Sequence, residues 1–88
     1  SNYKKAIERQ PDLLLARYRL GLIYQQLGNC DEAIKQFKEI TGINFKLASV
    51  HSRLAECYKE TGDLRSVLLE KELAGKFKGK EMWWKGRR

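Results

Sequence analysis

The sequence predicts an all-α protein built of antiparallel helical hairpins, and three observations support this prediction. Four stretches repeat their apolar residues at the 3.6-residue spacing of a helix, whereas no stretch shows the two-residue alternation of a strand. Short interruptions that contain glycine, asparagine or aspartate separate these stretches, and turns this short place successive helices side by side. The hairpin pattern also recurs after 34 residues, a period typical of helical repeat proteins.

The first complete hairpin is predicted to follow Pro11 and to turn at Gly28-Asn29. A glycine at a helix end can take the left-handed conformation, and an asparagine directly after it can cap the next helix. The apolar stripes of the two helices are Ala16, Leu20, Ile23, Tyr24 and Leu27, then Cys30, Ala33, Ile34, Phe37 and Ile40.

The second hairpin is predicted to follow Thr41-Gly42, with Asn44 as the N-cap of its first helix, and to turn at Gly62-Asp63. Its stripes are Leu47, Val50, Leu54, Cys57 and Tyr58, then Leu64, Val67, Leu68, Lys71 and Ala74. Residues 1–11 are interpreted as the second helix of a preceding partial repeat, with Tyr3, Ala6 and Ile7 on one side.

Residues one period apart are alike in type: Arg19 and Arg53, Leu20 and Leu54, Tyr24 and Tyr58, Gly28 and Gly62. Together with Gly21, Ala33, Phe37 and Ile40, this spacing resembles the tetratricopeptide repeat family. The resemblance implies a right-handed solenoid of stacked hairpins, with one repeat at 14–47 and a second at 48–81. The second repeat departs from the pattern, because Val67 replaces a small residue and Lys71 replaces an aromatic one.

Charge and cysteine content limit the classes of function. The 88 residues have a net charge of +7, but residues 1–74 carry twelve basic against ten acidic side chains, so most of the excess lies in residues 75–88. The composition therefore says little about the partner of the repeats. The two cysteines do not form a disulfide framework, so we expect an intracellular, reducing environment and a cytoplasmic protein.

The sequence offers no convincing catalytic or metal site. The only histidine is His51, and no base or orienting group lies one helical turn away from it, at Leu47 or Ala55. Cys30 and Cys57 lie on apolar stripes and match no zinc spacing together with His51, so we interpret them as reduced core residues. We therefore predict a protein that is not an enzyme and binds no cofactor or metal.

The family resemblance implies a concave groove, lined by the first helix of each repeat, that binds a peptide or helix of another protein. Carried over by position, the groove residues are Leu15, Tyr18, Arg19, Leu22, Gln25, Gln26, Ser49, Ser52, Arg53, Glu56, Lys59 and Glu60. Arg19 and Arg53 are equivalent and would together hold an acidic group, unless Arg53 pairs with Glu56 or Glu60. We predict a non-catalytic protein–protein interaction module of a larger scaffold or adaptor.

The basic-aromatic tail, residues 75–88, leaves several alternatives open. Leu69, Leu73 and Phe77 form a stripe on the fourth helix, and Met82, Trp83 and Trp84 follow it. The tail is interpreted first as a capping helix over this stripe, and otherwise as the start of a third repeat. Binding of nucleic acid or a membrane surface by the tail is a further alternative, as is self-association through exposed repeat ends.

Overall fold

The computed structural model describes residues 11–80, which form four α-helices joined by short turns. Helix α1 spans Pro11–Gln26, α2 Cys30–Ile43, α3 Ala48–Thr61 and α4 Leu64–Phe77. Each helix packs against the next one along the chain, and none of these seventy residues lies in a strand. The predicted all-α architecture of helical hairpins is therefore confirmed.

The two hairpin turns have the same hydrogen-bonding pattern, one repeat apart. Gly28 and Gly62 have φ of 79° and 87°, a left-handed conformation that costs glycine little. In both turns the N–H groups of the glycine and of the next residue donate to carbonyls in the last turn of the preceding helix, at 2.8–3.2 Å. Asn29 and Asp63 then cap α2 and α4, since each side chain accepts from the N–H three residues later.

The predicted start of the third helix is wrong. Helix α2 continues through Gly42 to Ile43, and Asn44 is its C-cap, with the Asn44 N–H donating to the Ile40 carbonyl at 2.8 Å. The side chain of Asn44 accepts from the Lys46 N–H at 3.2 Å, so it stabilises the turn between the hairpins and does not cap α3. The N-cap of α3 is Leu47, which makes no capping side-chain bond.

Most residues of the core come from α2, from α3 and from the turn between them, and α2 and α3 belong to different hairpins. Its largest fully buried side chains include Phe37 and Ile40 from α2 and Leu54 from α3, with Leu47 from the turn. Helix α4 contributes Val67 to the buried apolar residues. Because hydrophobic burial is the dominant favourable term in folding, this core provides much of the stability of the described residues.

The side of α1 that was predicted to pack in the core is also wrong. Leu20, Ile23 and Leu27 are 38%, 50% and 74% exposed, whereas Leu14 and Gly21 are buried. The reason is that α2 lies on the Leu14 and Gly21 side of α1. The exposed stripe is equivalent to the side of α3 that packs on α2, so it is the surface on which a preceding hairpin would pack.

Candidate functional site

The predicted groove residues lie on α1 and α3, and none of them is fully buried. We call this surface the groove face. The half-buried members are Leu15, Tyr18, Leu22, Gln25, Ser49 and Arg53, and the exposed ones are Arg19, Gln26, Ser52, Glu56, Lys59 and Glu60. Tyr18 and Leu22 also pack against the core, so the apolar part of this surface is supported from below. The assignment of these residues to a binding groove stays a prediction.

A hydrogen-bond network connects the two helices across the groove face. The Arg53 Nε donates to the Tyr18 hydroxyl at 3.3 Å, and the Gln25 Nε2 donates to the Glu56 Oε1 at 2.8 Å. The same carboxylate oxygen accepts from the Arg53 Nη1 at 3.1 Å. The side chains of Tyr18, Gln25, Arg53 and Glu56 therefore hold the first helices of both hairpins side by side.

The guanidinium of Arg53 makes its contacts within the protein, with Tyr18 and Glu56. The hydrogen bond with Tyr18 raises the pKa of Arg53 above its ordinary value, against the effect of burial, and the contact with Glu56 raises it further. The guanidinium is thus held toward Tyr18 and Glu56, which is the intramolecular alternative to a clamp with Arg19. Arg19 itself is exposed.

Each hairpin also contains a polar pair that the sequence analysis did not find. Arg17 on α1 donates to the Gln36 side chain on α2, and His51 on α3 contacts Glu70 on α4. Both pairs join residues 19 positions apart, and the second pair follows the first by one period of 34 residues. This recurrence was a signal in the sequence, because a polar residue stands at both positions of the pair in each hairpin.

His51 is a buried polar group with a partner at each ring nitrogen. Its side chain is 1% exposed, the Nδ1 lies 2.6 Å from the Glu70 Oε1, and the Nε2 lies 2.7 Å from the Phe45 carbonyl oxygen. Burial lowers the pKa of His51, but the hydrogen bonds to Glu70 and Phe45 and the charge of Glu70 raise it to a net value above 6.5. Both ring nitrogens are engaged in structural contacts.

The described residues contain no candidate metal site or membrane-spanning helix, and they include part of the predicted end-face surface. Between residues 11 and 80, no three histidine, cysteine or acidic side chains converge as metal ligands, and no helix is long and apolar enough to cross a membrane. On α4, Leu69 is exposed, while Leu73 and Phe77 are half-buried. Phe77 packs edge-on against Phe45 at 5.8 Å between ring centres.

The N-terminal partial repeat with Tyr3, Ala6 and Ile7, and the tail residues Met82, Trp83 and Trp84, lie outside the described residues. The predicted roles of these two segments therefore stay predictions.

Comparisons with known proteins agree with this architecture. Residues 15–47 match the family described as "Tetratricopeptide repeat". The chain is also similar to a solved structure titled "MamA MSR-1 C2", with a TM-score of 0.73 and 30% sequence identity over 86% of this chain. It spans 44% of that protein's chain. No curated protein sequence matches. The predicted tetratricopeptide resemblance and the helical-repeat fold are confirmed.

Proposed function

Since the chain carries a tetratricopeptide repeat within a helical-repeat fold, we propose that it is a non-catalytic module whose groove face binds a segment of another protein. Repeats of this family are protein interaction modules, which supports a binding function in general. The observation that carries the proposal is the groove face itself. Two helices from different hairpins are joined there by side-chain hydrogen bonds, so the surface is ordered before a partner arrives.

The composition of the groove face indicates the kind of segment that fits it. Leu15, Tyr18 and Leu22 are half-buried and offer apolar contact area beside the exposed cation of Arg19. A partner segment with one large apolar side chain and an acidic residue nearby complements this arrangement. Arg53 supports the surface through Tyr18 and Glu56.

A random peptide library tests the proposal directly. Peptides that bind the 88-residue chain are selected by phage display, and their footprint is mapped by NMR chemical-shift perturbation. We expect the shifted amides to lie on α1 and α3, around Leu15, Arg19 and Ser52. A footprint confined to α2 and α4, or a library that yields no binder, would contradict the proposal.

A matched pair of charge reversals sharpens the test. Arg19→Glu changes the groove face, whereas Lys38→Glu makes the same change at an exposed position on α2. We expect the first variant to weaken binding of the selected peptides by about tenfold or more, and the second to have little effect. Equal losses in the two variants would mean that net charge, and not the groove face, determines binding.

A second candidate function is head-to-tail self-association, and a specific observation favours it. Leu20 is 38% exposed, whereas its equivalent Leu54 is 1% exposed because α2 covers it. At the other end Leu68 is 70% exposed, whereas its equivalent Ile34 is half-buried against the core. Between α2 and α3, the described residues thus contain an internal example of the contact that the two ends of the described part would make between copies.

Such a contact joins two different surfaces, which permits a mixing experiment. Leu20→Asp disables one end and Leu68→Asp the other, so each variant alone should be monomeric in sedimentation. A mixture of the two should form dimers and nothing larger, because each variant retains one intact end. An unmodified chain that stays monomeric from about 1 µM to about 1 mM would eliminate this candidate.

A further inference from the structure

Helix α4 is held in place by few buried side chains. Among the described residues it buries Val67 and Glu70, whereas α2 and α3 bury five residues each. Three of its leucines, Leu64, Leu68 and Leu69, are more than half exposed. Because hydrophobic burial is the main favourable term in packing, α4 is bound to the fold less firmly than α2 and α3 are bound to each other.

A cluster around His51 attaches the second half of α4, residues 70–77. The Nδ1 of His51 lies 2.6 Å from the Glu70 Oε1, and the ring of Phe77 stacks on the imidazole at 6.2 Å between ring centres. Phe45, in the turn before α3, packs edge-on against both rings at 5.0 and 5.8 Å. Its carbonyl oxygen lies 2.7 Å from the His51 Nε2. The cluster therefore joins α4 to α3 and to the turn between the hairpins.

Protonation of His51 decides whether this cluster is satisfied. A protonated ring has an N–H for both acceptors, whereas a neutral ring turns a nitrogen lone pair toward either the Glu70 carboxylate or the Phe45 carbonyl. Either loss weakens the attachment of α4, because both acceptors belong to the cluster. Within residues 11–80, Glu70 on α4 is the charged group that faces the ring, and α1 and α2 place no charged group in contact with it.

We propose that residues 70–77 form a pH-dependent latch, which is closed against α3 while His51 is protonated and opens locally as the ring loses its proton. In the open form this half of α4 leaves α3, and water reaches the imidazole. The rest of the fold can remain, because the buried core cluster is built from α1, α2, α3 and the turn before α3. The hydrogen bonds across the groove face also join only α1 and α3. The opening is therefore distinct from global unfolding.

The pH at which the latch opens follows from the protons that it binds. Burial lowers the pKa of His51, but the hydrogen bonds with Glu70 and Phe45 raise it to a net value above the ordinary 6.5. The closed form therefore binds more protons than the open form between these two pKa values. The latch is most stable below about pH 6.5. The ratio of open to closed molecules should rise about tenfold per pH unit above that value and level off past the pKa of the closed form.

Amide hydrogen exchange of the 88-residue chain, followed by NMR between about pH 6 and 9, tests the proposal. Protection factors, corrected for the intrinsic exchange rate at each pH, report how often each amide opens. A short helix that leaves its packing surface is marginal in water, so opening should expose its amides. We expect residues 71–77 to be at least about tenfold less protected than the core of α2 at every pH. Their protection should also fall with the pH dependence derived above, whereas ordinary fraying of a helix end would give low protection without that dependence.

A matched pair of variants shows whether the cluster controls the opening. Glu70→Gln removes the charge that faces His51, so it should raise the opening of residues 71–77 at pH 6 and flatten the pH dependence. Glu72→Gln makes the same change at an exposed position of α4 and should keep the profile of the parent. The proposal is overturned if residues 71–77 are as protected as α2, if their protection does not depend on pH, or if both variants flatten the profile equally. The first two outcomes are read on the unmodified chain, so they decide the matter even if Glu70→Gln does not fold.

Discussion

The buried His51–Glu70 pair predicts that the protein loses stability as the pH rises above neutral. Both imidazole nitrogens face acceptors, Glu70 Oε1 at 2.6 Å and the Phe45 carbonyl oxygen at 2.7 Å. A neutral imidazole has one N–H, whereas the protonated ring has two, so only the protonated form satisfies both contacts. The folded structure therefore favours the charged ring, which agrees with the raised pKa of His51.

The direction of the pH effect follows from this pKa. Folding raises the pKa of His51 above the ordinary 6.5, so the folded protein binds more protons than the unfolded chain between the two pKa values. The stabilisation is complete below about pH 6.5 and is lost as the pH rises through the folded pKa. Glu70 on α4 is the charged group placed against the ring, and the turn contributes only the uncharged carbonyl of Phe45.

The size of the change in the free energy of unfolding is set by one hydrogen bond of His51. Loss of a proton leaves either the Glu70 carboxylate or the Phe45 carbonyl without a donor, and a hydrogen bond that involves a charged group contributes about 1.5–3 kcal/mol. The free energy of unfolding should therefore fall by about that amount between pH 6 and a pH above the folded pKa of His51. The sequence has one histidine, so no second imidazole contributes in this window.

Urea denaturation at several pH values, with two variants, measures the effect. Glu70→Gln keeps an acceptor but removes the charge, so it should lower the stability at pH 6 and flatten the pH dependence. Glu72→Gln, at an exposed position on the same helix, should retain the slope of the parent. The reasoning fails if the parent varies by less than about 0.5 kcal/mol across the window, or if an NMR titration gives His51 a pKa below 6.5.

Two further predictions concern packing, and urea denaturation measures both. Gly21→Ala places a Cβ 2.5 Å from Phe37 Cε1, so it should cost about 1–3 kcal/mol, whereas Gly42→Ala meets nothing within 4 Å and should be neutral or stabilise by up to about 1 kcal/mol. Leu54→Ala should cost about 2–5 kcal/mol, because Leu54 is 1% exposed, whereas Leu20→Ala one repeat earlier should cost clearly less in the monomer.

Each packing prediction has an outcome that contradicts it. If Gly21→Ala is as stable as Gly42→Ala, the ring of Phe37 moves aside at little cost, and the predicted clash at Gly21 does not destabilise the fold. If the two leucine variants lose equal stability in the monomer, Leu20 is as well covered in solution as Leu54.

The sequence predicted the elements whose causes are local. Gly28 and Gly62 end helices because the left-handed conformation depends on the residue itself, and both glycines have it in the structure. The prediction for Asn44 is wrong because its role depends on a neighbouring helix and not on the residue alone. An asparagine can cap the start of a helix or stabilise a turn. Here α2 continues to Ile43, which is buried in the core, so Asn44 lies in the turn after α2.

The side of each helix that a neighbouring helix covers could be predicted less well from the sequence. The stripe with Leu20 and Leu27 has the correct spacing for a helix, but spacing does not say which neighbour covers it. In the fold α2 covers the opposite side of α1, because Gly21 admits the ring of Phe37 there. A hydrophobic stripe therefore predicts burial only when the neighbouring element is known.

By itself, the sequence determined the four helices, the two hairpin turns and the period of 34 residues, because these depend on backbone conformation and on contacts a few residues apart. Only the tertiary structure decided which polar groups meet. Arg17 joins Gln36, and His51 joins Glu70, because neighbouring helices bring together residues that are 19 positions apart in the chain. Such pairs depend on the position and rotation of whole helices, which are set by how the complete core fills its space.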